Sequence, residues 1–318
     1  MKIRWNHIDP ADFFMQRVSS SLAPEFSLSR IAFGLWRLTD WGYSPAERVS
    51  LFERMLDLGV TTFDLADIYG DYRCEQFFGE AMRLKPQLRE RMEIVSKCSI
   101  RLAGEASGAR INHYDTGAAH VRMAVETSLR DMGVEQMDLL LLHRPDPLMD
   151  ADALAEVLET LVQEGKVKQL GVSNFLPHQF DLLQSRLSAP LVANQIEASL
   201  LHSVAMFDGQ LDHCQQHRVI PMAWSPFAGG RLFSGTDEDA VRVQQELKRL
   251  SAARGLNAED GPMQLALAWL LKHPSNMIPV LGSGNPQRLE AALSALEFEL
   301  DREEWFELLR AGRGRDVD

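Results

Sequence analysis

The sequence has few cysteines and lacks a hydrophobic run long enough to span a membrane. Cys74, Cys98 and Cys214 are the three cysteines of the 318-residue chain, and none forms a Cys-x-x-Cys pair. We therefore expect free thiols in a reducing compartment instead of a disulfide framework. The charge-free hydrophobic stretch from Gly261 to Leu271 is far shorter than the roughly 18 residues of a membrane helix. Charged residues interrupt the first apolar residues, so we expect no secretory signal, no membrane partner and a cytoplasmic location.

Basic residues are also scarce. The chain carries 33 Lys and Arg against 45 Asp and Glu, a formal net charge of −12. Because an acidic surface repels phosphate-rich polymers, we expect no nucleic-acid partner. An anionic ligand must then be bound by a local pocket of donors. Hydrophobic residues make up 45% of the chain, which is ordinary for a globular protein, so neither metals nor disulfides are needed for a stable core.

What the sequence does contain is a regular alternation of short apolar runs with longer amphipathic runs. The candidate strands are Ile31–Leu35, Val60–Asp64, Glu93–Lys97, Asp138–Leu142, Val167–Val172, Leu191–Gln195, Val219–Ala223 and Met277–Leu281. The helical patterns between and after them cover Pro45–Leu58, Cys74–Leu84, Ala118–Met132, Asp152–Glu164, Pro177–Arg186, Met206–Gln216, Asp239–Arg254, Pro262–Lys272 and Pro286–Leu296. Strands that alternate with helices imply βαβ units and a parallel sheet.

Eight such units in a chain of this length favour a closed (β/α)8 barrel, the TIM barrel of the α/β class. A doubly wound open sheet is the alternative, but no Gly-x-Gly-x-x-Gly turn follows the first strand and no domain break is visible. We predict one barrel domain over residues 1–318, with a hairpin or cap within residues 1–30. The additions expected after the strands are long loops at Ser99–Gly117 and Ser225–Glu238 and an extra C-terminal helix at Asp301–Arg310.

Seven consecutive candidate strands end in polar or aromatic residues. Chemistry in such barrels collects at the carboxyl ends of the strands, so these residues predict a site there. They are Asp64, Lys97, His143, Ser173 with Asn174, Asn194 with Gln195, Trp224 with Ser225, and Gly282 with Ser283 and Gly284.

Asp64, Tyr69, Lys97 and His143 form the most informative group. A tyrosine hydroxyl titrates near pH 10, and we expect the Lys97 ammonium to lower that pKa while the Asp64 carboxylate holds the ammonium in place. A neutral His143 would orient a carbonyl oxygen toward Tyr69. Each residue alone also has an ordinary structural role. Together, the four are suited to move a proton to or from an oxygen whose carbon gains or loses a hydride.

At this point the sequence resembles the aldo-keto reductase family, and within it a bacterial oxidoreductase subgroup, the YdhF-type proteins. The matching motifs follow one another in family order from about residue 31 to residue 296. They are Thr62 to Gly70 (TFDLADIYG), Ile94 to Lys97 (IVSK), Asp138 to Asp146 (DLLLLHRPD), Gly171 to Phe175 (GVSNF), Asn194 to Glu197 (NQIE) and Ala223 to Leu232 (AWSPFAGGRL).

The resemblance implies reversible, NADPH-dependent reduction of an aldehyde or ketone, with the four residues above as catalytic tetrad. It also implies a nicotinamide site at Ser173, Asn174, Gln195 and Trp224. The residues that it places on the pyrophosphate are Ser225, Phe227, Gly229 and Leu232, and those on the adenosine 2′-phosphate are Gly282, Ser283, Gly284 and Arg288. Many relatives have lysine at the position of Gly282, so this end departs from the family pattern.

The remaining expectations concern the substrate pocket, a metal site, the oligomeric state and an alternative function. Trp36, Tyr43 and Ile68 lie on loops that are candidates to line a pocket for a small carbonyl substrate. His213 and His217 have the spacing of metal ligands around Cys214, but no carboxylate stands at a matching step, so we expect no metal. No coiled-coil seam is present, and we expect a monomer. The alternative function is a nucleotide-binding redox sensor or partner-docking subunit with little turnover, which members of the resembled family also suggest.

Overall fold

A two-stranded antiparallel hairpin precedes the barrel in the computed structural model, which describes residues 16–317. Its strands are β1 (Arg17–Ser20) and β2 (Ala23–Ser29). Arg17 forms an ion pair of 2.7 Å with Glu93, the first residue of a barrel strand, so the hairpin lies at the amino-terminal end of the barrel. The prediction of a hairpin is therefore confirmed for this segment. Residues 1–15, which the same prediction covered, lie outside the described residues.

Eight parallel strands close into the barrel, which confirms the predicted (β/α)8 fold. They follow one another around the barrel in chain order, and the last pairs with the first. The barrel strands are β3 (Ala32–Gly34), β4 (Thr62–Asp64), β5 (Glu93–Cys98), β8 (Met137–Leu142), β9 (Val167–Ser173), β10 (Leu191–Glu197), β11 (Ile220–Trp224) and β12 (Ile278–Leu281). Outside the barrel, β6 (Ile100–Arg101) and β7 (His113–Tyr114) pair antiparallel within the long loop after β5.

Most helices cover the outside of the barrel, and the shortest ones are single turns in its loops; the turn Tyr69–Tyr72 has positive φ at Gly70, Asp71 and Tyr72. They are α1 (Pro45–Asp57), α2 (Tyr69–Tyr72), α3 (Cys74–Leu84), α4 (Ala118–Met132), α5 (Ala151–Gln163), α6 (Pro177–Gln184), α7 (Gln210–His217), α8 (Arg231–Ser234), α9 (Glu238–Ala253), α10 (Gly261–Leu271), α11 (Pro286–Leu293) and α12 (Arg302–Arg313). Short 3-10 turns occupy Pro86–Arg91, Val204–Met206, Ala228–Gly230 and Ser294–Glu297.

Two apolar layers hold these elements together. Inside the barrel, Val95, Leu139 and Leu141 pack with Phe26 and Leu28 of the hairpin. Outside it, the apolar faces of the helices are buried against the outward side chains of the strands. Strands covered on both faces need apolar residues almost throughout, which is why the strand pattern was readable in the sequence.

Most element boundaries lie within two residues of their predicted positions, but α7 does not. The amphipathic pattern predicted one helix over Met206–Gln216, whereas the structure has a 3-10 turn that ends at Met206 and a helix that begins at Gln210. Gly209 between them has φ +88°, a left-handed conformation that interrupts a right-handed helix. The loop Ser225–Glu238 likewise contains a 3-10 turn and α8.

No helix among residues 16–317 combines the length and the apolar character that crossing a membrane requires.

Candidate active site

Lys97 is the centre of the site, and its side chain is fully buried at the end of β5. Its Nζ donates to both carboxylate oxygens of Asp64, at 2.8 Å each, and to the carbonyl oxygen of Leu65 at 2.7 Å. The Tyr69 hydroxyl lies 3.1 Å from the same Nζ. Three of the four side chains that the sequence grouped are therefore held together through the Lys97 ammonium, which contacts both Asp64 and Tyr69. Neighbouring strands bring them together, because Asp64 ends β4 and β4 pairs with β5.

Burial and neighbouring charges shift the pKa values of Tyr69 and Lys97 in opposite directions. Burial raises the pKa of the Tyr69 hydroxyl, and the opposite effect of the Lys97 ammonium is smaller. The sequence-based expectation of a lowered tyrosine pKa is thus wrong in its net direction, because it neglected desolvation. Burial disfavours the charged form of Lys97, yet Asp64 and Tyr69 together raise its pKa. Tyr69 is therefore held protonated beside a stable ammonium.

His143 completes the group from the end of β8. Its ring lies edge-to-face with the Tyr69 ring, with 5.8 Å between centroids. Burial lowers the pKa of His143 well below its usual range, and the Lys97 and Arg144 cations lower it further. A neutral imidazole at pH 7 agrees with the predicted neutral hydrogen-bond donor. Its Nδ1 is buried without a hydrogen-bond partner among the described residues.

A chain of hydrogen bonds joins the next three strand ends. Ser173 at the end of β9 donates to the Gln195 carbonyl oxygen at 2.8 Å, and Asn174 donates to the Ser173 hydroxyl at 2.8 Å. The Trp224 indole N–H donates to the Asn174 side-chain oxygen at 2.9 Å, which fixes the indole ring at the barrel mouth. Gln195 donates from its side chain to Asp64 at 2.7 Å. The predicted nicotinamide residues and the tetrad therefore belong to one network.

Two contacts at this network were missed from the sequence. The bond between Gln195 and Asp64 spans 131 residues and depends on the barrel closing. The Arg144 guanidinium lies 5.5 Å from the centroid of the Trp224 ring. Its side chain makes no hydrogen bond or ion pair within residues 16–317. Arg144 directly follows His143 at a strand end, and that position placed it near the site. Nothing in the sequence indicated its contact with Trp224.

Strained backbone is concentrated at the same end of the barrel. Among the described residues, eight residues other than glycine have positive φ, and six of them follow the carboxyl ends of strands. The six are Asp71, Tyr72, Ser99, Asn174, Ser225 and Ala228. Each such residue costs about 1–3 kcal/mol, and strain of this kind clusters at functional sites.

The loop after β11 carries all four residues predicted to contact the pyrophosphate, which are Ser225, Phe227, Gly229 and Leu232. Gly229 and Gly230 have φ of +67° and +98°, and no atom lies within 4 Å of the position that a side chain would take. Ser225 and Phe227 are half-buried on the same loop. Leu232 differs, because its side chain is fully buried and its N–H donates to the Phe227 carbonyl oxygen at 3.3 Å. Leu232 therefore presents no free group to a phosphate.

The loop after β12 carries the residues predicted to contact the 2′-phosphate. Ser283 accepts a hydrogen bond from the Asn285 N–H, and Asn285 caps α11 by accepting from the Arg288 N–H at 3.2 Å. The Arg288 side chain is exposed in the first turn of this helix. A side chain at Gly284 would begin 2.6 Å from the Trp41 ring, so packing requires that glycine, whereas one at Gly282 would make an ordinary contact of 3.6 Å with the Gly34 carbonyl oxygen.

The three residues predicted to line a substrate pocket differ in environment. Trp36 is 55% exposed beside the site, with the Arg37 guanidinium over its ring. Ile68 is half-buried and directly precedes Tyr69. The Tyr43 hydroxyl donates to the Gly284 carbonyl oxygen at 2.7 Å, so Tyr43 contacts the loop after β12. The assignment of all three to a pocket stays a prediction.

Comparisons with known proteins agree with this geometry. The profile of the family described as "Aldo/keto reductase family" matches residues 30–311. The chain is 48% identical to "Oxidoreductase YdhF" of Escherichia coli, over 95% of this chain and 99% of that protein. It is 47% identical to "6-dehydroglucose reductase" of Agrobacterium fabrum, over 95% of this chain and 100% of that protein. A solved aldo-keto reductase from Klebsiella pneumoniae in complex with NADPH superposes with a TM-score of 0.75 at 27% identity, covering 93% of this chain and 95% of that one.

Proposed function

The chain belongs to the aldo/keto reductase family, and from that premise we propose that it catalyses the reversible, NADPH-dependent reduction of an aldehyde or ketone to an alcohol. The family makes it an enzyme of the oxidoreductase class. One observation carries the finer proposal: the buried Lys97 ammonium contacts both the Asp64 carboxylate and the Tyr69 hydroxyl. Such a group is suited to general acid catalysis.

The residues at the strand ends fit a nicotinamide dinucleotide. An indole ring held in place by Asn174 offers a flat aromatic face. The open backbone at Gly229 and Gly230 suits a phosphate. In this proposal Ser173, Asn174, Gln195 and Trp224 hold the nicotinamide end. The phosphates lie against Ser225, Phe227, Gly229, Gly282, Ser283, Gly284 and Arg288.

NADPH, when bound, supplies a hydride to the carbonyl carbon. Tyr69 donates its proton to the oxygen that gains negative charge, and Lys97 stabilises the phenolate that remains. Asp64 holds the ammonium, and neutral His143 orients the carbonyl oxygen toward Tyr69. The raised pKa of Tyr69 suits the reductive direction, because the hydroxyl stays protonated at neutral pH. The reverse oxidation needs the phenolate and should speed up as pH rises.

A polar, hydroxylated aldehyde is the substrate class that we place first. Two of the similar proteins are named "6-dehydroglucose reductase", at 47% and 35% identity. The Arg144 guanidinium lies over the Trp224 ring and makes no ion pair within residues 16–317, so it also suits oxygen-rich groups. An apolar aldehyde would leave that cation without a partner.

The experiment is an activity screen that follows NADPH absorbance with 6-dehydroglucose, glyceraldehyde, butanal and acetone as substrates. We expect turnover with at least one aldehyde and loss of turnover in Lys97→Met. Tight NADPH binding without turnover on any carbonyl compound would contradict the proposal and favour a nucleotide-binding sensor. A matched control is Lys168→Met, which replaces an exposed lysine on β9 at the opposite end of the barrel.

The proposal also treats residues 1–318 as one barrel domain that acts as a cytoplasmic monomer. Size-exclusion chromatography with light scattering tests the last point, and a mass of twice the chain would contradict it.

A further inference from the structure

Two helices on the outside of the barrel bring three metal-ligand side chains together. Asp181 lies on α6, whereas His213 and His217 lie one turn apart on α7. The His213 Nε2 is 2.7 Å from the Asp181 Oδ1, and the centroids of the two imidazole rings are 4.4 Å apart. One donor atom from each residue lies within 4.8 Å of the other two. The sequence showed only the histidine pair, because the carboxylate comes from another helix.

We propose that Asp181, His213 and His217 bind a divalent transition metal ion of the zinc class. Two imidazoles and one carboxylate are a common ligand set for such ions. Ligands at about 2.0–2.1 Å from zinc in a tetrahedral arrangement stand roughly 3.3 Å apart. The 2.7 Å between the His213 and Asp181 donors must therefore open by roughly 0.6 Å, and separations of up to 4.8 Å must close by up to about 1.5 Å. Water would take the fourth position, as in zinc sites with three protein ligands.

The surroundings permit that shift. His213 is buried, and its ring packs edge-to-face on Phe180 with 4.9 Å between centroids, so it serves as the fixed ligand. Asp181 and His217 are exposed and can rotate toward it without disturbing the core. In the absence of metal, the pair of Asp181 and His213 is an ordinary ion pair or hydrogen bond. A bound ion would replace the proton between them.

The ion would join the helices that follow β9 and β10. Those strands carry Ser173 and Gln195 near their carboxyl ends, so the three ligands lie on the outer side of the barrel wall that forms the proposed nicotinamide site. The metal itself is remote from Tyr69 and takes no part in the proposed reduction. Its binding can therefore be tested whether or not the protein reduces carbonyl compounds.

The experiment is a titration of tag-free, chelator-treated protein with Co²⁺, followed by displacement with Zn²⁺. We expect one Co²⁺ per chain, with the visible absorption of a low-coordinate cobalt site, and loss of that absorption when Zn²⁺ is added. Removal of groups that merely support a ligand costs roughly 10–100-fold in metal affinity. His217→Ala and Asp181→Asn should therefore weaken binding at least that much. Both positions are exposed, and far-UV circular dichroism checks that the variants fold.

His113→Ala is the matched control, since His113 is an exposed histidine on the β6–β7 hairpin. It should bind Co²⁺ like the wild type. Equal binding by the wild type and His217→Ala would overturn the assignment, as would the absence of stoichiometric binding below about 1 mM metal. A second readout is thermal stability, which Zn²⁺ should raise in the wild type and His113→Ala but not in His217→Ala.

Discussion

Replacing Lys97 by methionine tests how the centre of the site is held together. Methionine keeps the unbranched shape but removes the charge and all four contacts of Nζ. Asp64, whose side chain is 3% exposed, would then keep a buried negative charge, with the Gln195 amide as its remaining donor among residues 16–317. Removing one partner of a buried ion pair costs about 3–5 kcal/mol. We expect a loss of unfolding free energy in that range.

A second substitution separates the loss of the attraction between Asp64 and Lys97 from the cost of leaving the Asp64 carboxylate buried without a cation. In the double variant Asp64→Asn/Lys97→Met neither charge remains, and Gln195 can still donate to the side-chain oxygen of the introduced asparagine. If the cost of Lys97→Met is mainly an unpaired buried carboxylate, the double variant should be more stable than Lys97→Met alone. Urea denaturation followed by circular dichroism gives both values. A loss below about 1 kcal/mol in Lys97→Met, or additive losses in the double variant, would refute this reasoning.

Three further predictions concern other residues. Burial raises the pKa of Glu75, on α3, from 4.5 to about 7, so the folded state favours the protonated carboxyl. Roughly 3 kcal/mol of unfolding free energy is therefore lost as pH rises from 4.5 through 7. Glu75→Gln should abolish that loss and be more stable than the wild type at pH 8; equal pH dependence in urea denaturation would contradict it. NADPH should quench part of the fluorescence of the six tryptophans, and Trp224→Ala should remove that part and weaken binding. Arg288→Ala should weaken NADPH binding by roughly 10- to 150-fold with little effect on NADH, and equal losses in the two titrations would exclude a 2′-phosphate contact.

The barrel strands were predictable because each is buried on both faces and therefore reads as a run of apolar residues. Most helices were predictable because longer amphipathic runs separate those strands. Asp64 and Lys97 could be assigned to one site because each ends such a run, and a barrel gathers those ends. Contacts between segments that are distant in the sequence explain what was missed. The Gln195 bond to Asp64 and the approach of Asp181 to His213 join distant segments. No local pattern encodes such contacts.

The balance of burial and charge at a residue, and how tightly it is packed, were harder to predict than its position in the barrel. The sequence indicated that Lys97 lies near Tyr69, but not that burial outweighs its charge at the hydroxyl. Likewise, Gly284 looked like a phosphate-binding glycine, whereas the Trp41 ring against it gives packing as a sufficient reason for its identity. Both outcomes depend on how closely neighbouring groups approach, which a single sequence does not specify.

Tyr69→Phe tests the proposed reaction most directly, because it removes one hydroxyl and leaves the ring in place. The measurement is steady-state turnover on the best aldehyde at saturating NADPH, with cofactor affinity determined on the same variant. We expect turnover to fall by roughly 10²–10⁴-fold, the usual contribution of a general acid, while NADPH affinity stays near that of the wild type. Near-wild-type turnover in Tyr69→Phe would contradict the assignment of Tyr69 as proton donor, and with it the account of the site.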